Sequence, residues 1–384
     1  MRQGTFKWMK SVNKSIILNK IRKDGPISRA QIARETNLTP PTVSSNVKEL
    51  MEEGMVEESE VGQSIGGRKP TMLIINNRAF TIIGVDAGPE SIECIVADLA
   101  GKVMRRSEKK LQLPINDEQF ISALKSCIDG CLEGITEAQD QVIGIGVAMH
   151  GVVDVDTGTS LYAPNLGLVN IPIKEELEKA FGLEVKVEND ARAMALGEYW
   201  FGNHGEVESM LAVNIGSGVG AGLIIDGKPY HGSSDIAGEI GHMTIDLHGE
   251  VCECGNRGCL QTFVTGPAIA RKVTGKTTGT PLTAENIFEQ AMLGDKQSVS
   301  ILEESGKAMG VGLTNLIHIV NPEKIVLGGG VSKAEKFILP AILETIRVSA
   351  LTPAASQTKV EITKLGDDAT LMGAITLLLV DIFE

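Results

Sequence analysis

Four residues of this 384-residue chain carry its sharpest chemical signal: His242, Cys252, Cys254 and Cys259. One imidazole and three thiolates form the donor set of a closed tetrahedral zinc site. Gly255 and Gly258 let the loop turn tightly enough for the sulfurs to converge on one ion. The chain has six cysteines and half of them fall within these eight residues, which points to metal rather than to packing. Four protein ligands leave no open position for a reactive water, so the expected Zn²⁺ is structural. Its task would be to hold Glu239 and the far nitrogen of His242 at a neighbouring pocket. Cys94, Cys127 and Cys131 lie in apolar patterns and are expected in the core.

A second constellation is Asn189-Asp190, where the strand-like run Val185 to Glu188 meets a helical run from Ala191. An amide beside a carboxylate at the mouth of a cleft suits the paired hydroxyls of a sugar. Asp190 could accept a hydrogen bond, act as a general base, or cap the helix that follows. Val213 to Leu223 is a glycine-rich turn between strands containing Gly216 and Gly218, and Lys324 to Leu327 is a strand running into Gly328 and Gly329.

These residues need elements to place them, and the charge distribution divides the chain. Net charge is −13, yet residues 1–48 hold ten basic residues against two acids, a balance of +8 that leaves −21 for the rest. A basic head on an acidic body is the footprint of a nucleic-acid-binding module joined to something else. Within the head, Val12, Ile16, Ile17 and Ile21 keep helical spacing until Gly25-Pro26 ends the run. Ser28 with Gln31 reads as a capping box opening a second helix to Thr36, and Thr39 caps a third that begins Pro40-Pro41. Three helices with a tight turn before the third make a helix-turn-helix. Ser28, Arg29, Thr39, Pro41, Thr42, Ser44, Ser45, Asn46 and Lys48 are its candidate DNA contacts. Val56 to Glu58 and Thr71 to Ile75 read as a hairpin whose tip, from Gly62, carries Arg68 and Lys69 toward phosphate or minor groove. After residue 77 strands alternate with helices: Phe80 to Asp86, Ile92 to Asp98, a helix from Phe120 to Ile135, and Val142 to Ala148. No apolar run approaches the length of a membrane span, no signal peptide is visible, and clustered cysteines fit a reducing compartment; a cytoplasmic protein is expected.

Glu239, Gly241 and His242 followed by Cys252, Cys254, Gly255, Asn256, Gly258 and Cys259 resemble the zinc-containing signature of the ROK family of repressors, open reading frames and sugar kinases. The resemblance runs from about Val12 to the C-terminus. It implies an α/β fold: a winged helix-turn-helix over residues 1–77, then a two-lobed actin/hexokinase-like (ribonuclease H-like) sugar-binding domain with lobes 78–192 and 193–384. It also implies a sugar site of Asn165, Asn189, Asp190, Glu239, His242 and Gln261, in which Gln261 stands where the kinases have glutamate. In the kinases the residue matching Asp190 is the general base. Asp86, Gly88, Gly216, Gly218, Gly328 and Gly329 mark a vestigial nucleotide site. The kinases follow the Asp86 position with two glycines and a threonine, whereas this chain has Gly88-Pro89-Glu90; proline removes an amide donor and glutamate puts negative charge beside a polyphosphate. ATP-Mg²⁺ is therefore not expected, and neither is enzymatic activity. The reading is a sugar-responsive repressor that binds operator DNA as a homodimer or higher oligomer. Ser28 to Ala30, the Arg68-Lys69 wing and the run Glu239 to Asp246 resemble the xylose-repressor branch, making xylose the first expected effector and glucose the second. The alternative is an ATP-dependent hexokinase or glucokinase with Asp190 as base.

Overall fold

The computed structural model describes residues 12–59, 70–133, 141–273 and 283–383. Three helices open it: α1 (Val12–Asp24), α2 (Arg29–Thr36) and α3 (Pro40–Glu52). With them goes an antiparallel sheet of β1 (Ile27–Ser28), β2 (Val56–Ser59) and β3 (Met72–Ile75), in the order β1-β3-β2. Local chemistry sets the boundaries. Ser28 accepts the Gln31 amide at 3.2 Å and Thr39 accepts that of Thr42 at 3.4 Å, each satisfying a free donor at a helix start. The reciprocal half of the Ser28–Gln31 box does not form, because the Gln31 side chain donates to Glu35 one turn on, at 2.9 Å. Ile17, Leu18, Ile21, Ile32, Val43, Val47 and Leu50 are fully buried among the helices. The unit is a winged helix-turn-helix with β2 and β3 as the sides of the wing; Arg68 and Lys69 lie outside the described residues.

The body has two large sheets. The first is built from β4 (Thr81–Ala87), β5 (Ser91–Asp98), β6 (Val103–Lys110), β7 (Val142–Met149) and, after an insertion, β11 (Glu184–Asn189), in the order β11-β7-β4-β5-β6. Helix α4 (Asp117–Leu132) covers one face; the expected extension to Ile135 falls outside the described residues. The insertion is a small sheet of β8 (Val152–Asp154), β9 (Thr159–Ala163) and β10 (Leu168–Ile171), followed by α5 (Ile173–Phe181). Helix α6 (Asp190–Phe201) then leads to the second sheet, of β12 (Ser209–Ile215), β13 (Val219–Ile225), β14 (Lys228–Pro229), β15 (Lys324–Gly328) and β16 (Lys359–Ile362). Its order is β14-β13-β12-β15-β16. Helices α7 (Gln261–Val264), α8 (Gly266–Arg271), α9 (Ala284–Met292), α10 (Lys296–Val320) and α11 (Glu335–Ser349) accompany it, and α12 (Ala369–Phe383) ends the chain.

Each large sheet is an antiparallel three-strand meander whose first strand pairs in parallel with a fourth, and the fourth with a fifth. The sequence shows no internal repeat, so this duplication lives in the backbone alone. Helices α6 and α12 fill the space between the sheets, α12 against β4 and β7 and α6 against β12 and β13. They touch backbone to backbone. A side chain at Gly373 would begin 1.7 Å from the Ala193 carbonyl oxygen, and one at Gly197 would begin 2.4 Å from that of Ala369. Glycine's usual cost inside a helix is accepted here because nothing larger fits. Leu371, Ile375, Leu379 and Phe383 of α12 share a continuous core with Ile17, Ile21 and Leu50 of the head. The head is thus docked on the body through the C-terminal helix. No described helix is long and apolar enough to cross a membrane.

Candidate functional site

The parallel strands β4, β7 and β11 end side by side, and their C-terminal ends deliver Asp86, His150 and the Asn189-Asp190 pair to one cleft. Asn189 is the cap of α6: its Oδ1 accepts the amides of Ala191 at 3.0 Å and Arg192 at 3.1 Å. Its Nδ2 donates to Gly151 O at 2.9 Å and Asp190 Oδ1 at 3.0 Å. This amide is saturated, and Asn189 orients its neighbour where the sequence suggested a direct hydroxyl contact. The cap is Asn189 and not Asp190, which occupies the first helical position. Asp190 Oδ2 faces the opening, 3.4 Å from Asn214 Nδ2 and 3.9 Å from His150 Nδ1. Burial works against the His150 charge, but the neighbouring Asp190, Glu239 and Asp86 together raise its pKa.

Glu239 reaches the same cleft from the other lobe. Gly238, at φ 102°, packs where a side chain would begin 1.9 Å from the Ala221 carbonyl oxygen, which clamps the turn onto β13. Burial raises the Glu239 carboxyl, and Asp190 adds to the shift. Asn165, on an exposed turn after β9, donates to Ser217 Oγ in the glycine-rich turn at 3.3 Å and so spans the two lobes.

Next to Glu239, the ligand atoms of His242, Cys252, Cys254 and Cys259 all lie within 4.8 Å of one another. The Cys254 and Cys259 sulfurs are 3.7 Å apart, and Cys252 Sγ is 3.8 Å from His242 Nδ1. A tetrahedral ion with metal–sulfur bonds of about 2.3 Å needs sulfur–sulfur edges of about 3.8 Å. The residues present fit such an ion. Without metal, the Asn256 backbone amide leads in lowering the Cys254 thiol to about 7, while burial pushes Cys259 up to about 12. Gln261 donates to Cys252 Sγ at 3.2 Å, so it braces a sulfur of the cluster. Cys94, Cys127 and Cys131 are free and buried.

On the head, Pro41, Ser44, Ser45 and Lys48 are exposed and spaced three and four apart, which puts them on one outward face of α3 with Thr39 at its start. Thr42 and Asn46 are half-buried, and Asn46 donates to Thr42 O at 2.8 Å. Ser28 is spent as a cap, and Arg29 is braced inside the head, 3.5 Å from Glu58 on the wing.

The ROK family model matches residues 82–380, and a winged helix-turn-helix DNA-binding model matches residues 14–57. The chain belongs to the ROK family. It is 32% identical to the xylose repressor of Caldicellulosiruptor bescii over 99% of this chain and 98% of that protein. It is 33% identical to the DNA-binding transcriptional dual regulator NagC of Escherichia coli K12 over 91% of this chain and 87% of that protein. Among solved structures, a ROK transcriptional regulator described as a homologue of the Escherichia coli Mlc protein superposes with a TM-score of 0.85 at 29% identity, covering 97% of both chains.

Within this ROK frame, two of the residues marked as a vestigial nucleotide site, Asp86 and Gly88, line one cavity, while Gly328 packs against Met194. Asp86, Gly88, Pro89, Glu90, Ser91, Glu93 and Ser217 line a space of about 230 Å³. Gly216 and Gly218 flank Ser217 over open space, whereas Gly329 is packed tight against Asn214 and Ile215. The lining is acidic. Burial raises Asp86 to about 7, with Asp190 and Glu93 adding to the shift. Asn214 and Ser217 were not singled out from the sequence; polar residues in an otherwise apolar, glycine-rich strand turn were the available signal.

Proposed function

We propose that the chain is a transcriptional repressor whose winged head binds operator DNA and whose interlobe cleft binds a monosaccharide, with xylose as first effector and glucose as second. The observation that carries the reading is the path between the two sites. Helix α6 begins at Asp190 in the cleft and carries Trp200 in its last turn, where the ring lies 4.0 Å from the Arg22 guanidinium of α1 and 6.1 Å from Phe383. A ligand that moves Asp190 therefore pulls on the element that seats the head. The sugar must bind the two head positions with different affinity, or nothing shifts. Paired heads on half-sites one helical turn apart would make a small rotation decisive, which favours a homodimer or higher oligomer.

Zn²⁺ is the ion proposed for His242, Cys252, Cys254 and Cys259; when bound it would supply a rigid cross-link rather than a reactive centre. The residues themselves fix the Glu239 turn to the start of α7. The Asp190 carboxylate at the cleft opening supports a sugar kinase, with Asp190 as general base, as second reading. The three carboxylates at the phosphate position and the missing Pro89 amide weigh against it. The test is the affinity for a duplex selected from a random pool, measured with and without D-xylose or D-glucose. A sugar-dependent change supports the repressor; DNA binding indifferent to both sugars removes their role as effectors.

A further inference from the structure

Under the floor of the cleft lies an ionic cluster that joins the two carboxylates flanking it. Arg192 on α6 is 2% exposed and heads the fully buried side chains by size. Its Nε donates to Glu188 Oε1 at 2.7 Å and its Nη1 to the Asp235 carbonyl at 2.7 Å. The other Glu188 oxygen pairs with His231 Nε2 at 2.7 Å. Residues 231–238 form an arch leading directly to Glu239. Gly232, Ser233, Ser234 and Ile236 of this arch are exposed, so no apolar core holds it. Asp235 is left-handed at φ 55°, a region that aspartate enters more readily than most residues and that turns its carbonyl out of the regular backbone pattern. The Arg192 guanidinium holds that carbonyl. At the far end Gly238 O accepts the Ala221 amide at 2.8 Å.

We propose that Arg192 and His231 are positioning residues for ligand binding: Arg192 at the Asp235 carbonyl and His231 through Glu188 clamp the arch and fix Glu239 opposite Asp190. Neither touches the sugar. The inference rests on the cleft being a sugar site. Burial tends to push the Glu188 carboxyl up, but His231 and Arg192 more than offset this and hold it below its ordinary range. Glu188 in turn raises the His231 imidazole, with Asp235 adding and burial and Arg192 opposing. The His231 arm is therefore complete at low pH and lost as pH rises through that raised value.

The test uses the full chain and two variants, Arg192→Lys and His231→Gln. Hydrogen exchange of the amides from 232 to 239 is read by mass spectrometry alongside calorimetric titration with D-xylose and D-glucose from about pH 6 to 8.5. Both variants are expected to speed exchange in the arch, leave the α6–α12 interface protected, and raise the sugar Kd about tenfold. In the wild type the Kd should rise with pH, and His231→Gln should flatten that profile. If Arg192→Lys fails to fold, His231→Gln decides alone. Unchanged arch exchange with a wild-type Kd overturns the clamp. A wild type that binds neither sugar sinks the sugar reading instead, and the exchange data still judge whether the clamp exists.

Discussion

Replacing Trp200 with alanine should uncouple ligand from DNA without emptying the cleft. Trp200 lies in the last turn of α6, its ring 4.0 Å from Arg22 and 6.1 Å from Phe383, which are themselves 5.6 Å apart. A half-buried cation–π contact is worth about 1 kcal/mol and an aromatic pair about as much again. Losing both weakens the tie between α6 and the groups that seat the head, Arg22 on α1 and Phe383 on α12, by about 2 kcal/mol, roughly thirtyfold in an equilibrium constant. Coupling free energies between sites commonly run about 1–3 kcal/mol, so this loss is large enough to erase one. The assay is fluorescence anisotropy of a labelled duplex selected by the wild type, titrated with and without D-xylose. Trp200→Ala should keep its sugar Kd within about twofold, because Asp190 is ten positions away on a helix held by α12, while the sugar-dependent change in DNA affinity collapses. A variant that responds to sugar as the wild type does would refute α6 as the route.

Chelation should lower the melting temperature and sugar affinity together, since the ion would brace the turn carrying Glu239; unchanged stability would show that no structural metal is bound. In the chelated protein Cys254 should alkylate first near neutral pH, with Cys259 lagging far behind. Asp86 is an acid whose folded pKa, about 7, exceeds its ordinary value, so the folded state holds its proton longer and stability falls as pH rises from about 4 to 7. Asp86→Asn should remove that slope and gain about 2 kcal/mol at pH 8, half the full linkage because the carboxyl is partly exposed; a slope that persists would show that Asp86 ionises normally. Replacing Arg68 and Lys69 together should flatten the logarithmic salt dependence of DNA binding by about two and weaken all sequences alike. An unaltered slope would mean the wing does not touch DNA.

What could be read along the chain was local. The caps at Ser28 and Thr39, the apolar spacing of the head and the closely spaced cysteines each depend on neighbours a few residues apart, and each has its counterpart in the fold. Contacts closed over long distances were illegible. Glu188 and His231 are 43 positions apart, and nothing in either segment announces the other. Asn189 illustrates a milder failure: its type suggested ligand chemistry, but a side-chain amide at a strand-to-helix junction serves the backbone first. Strand β6 carries no apolar alternation to announce it, because Arg105, Arg106, Glu108 and Lys109 crowd a largely exposed sheet edge. Helix α11 was missed despite Ile338, Ile342 and Ile346 at helical spacing, since Pro340 punctuates the run near its start.

The central claim is that a kinase-like frame senses sugar and has no use for nucleotide. Calorimetric titration of the metal-replete full-length protein with D-xylose, D-glucose and a non-hydrolysable ATP analogue, singly and in pairs, tests it most directly. The account predicts heat from a sugar alone, none from the nucleotide, and no change in sugar affinity when both are present. Tight nucleotide binding that strengthens with sugar would contradict it.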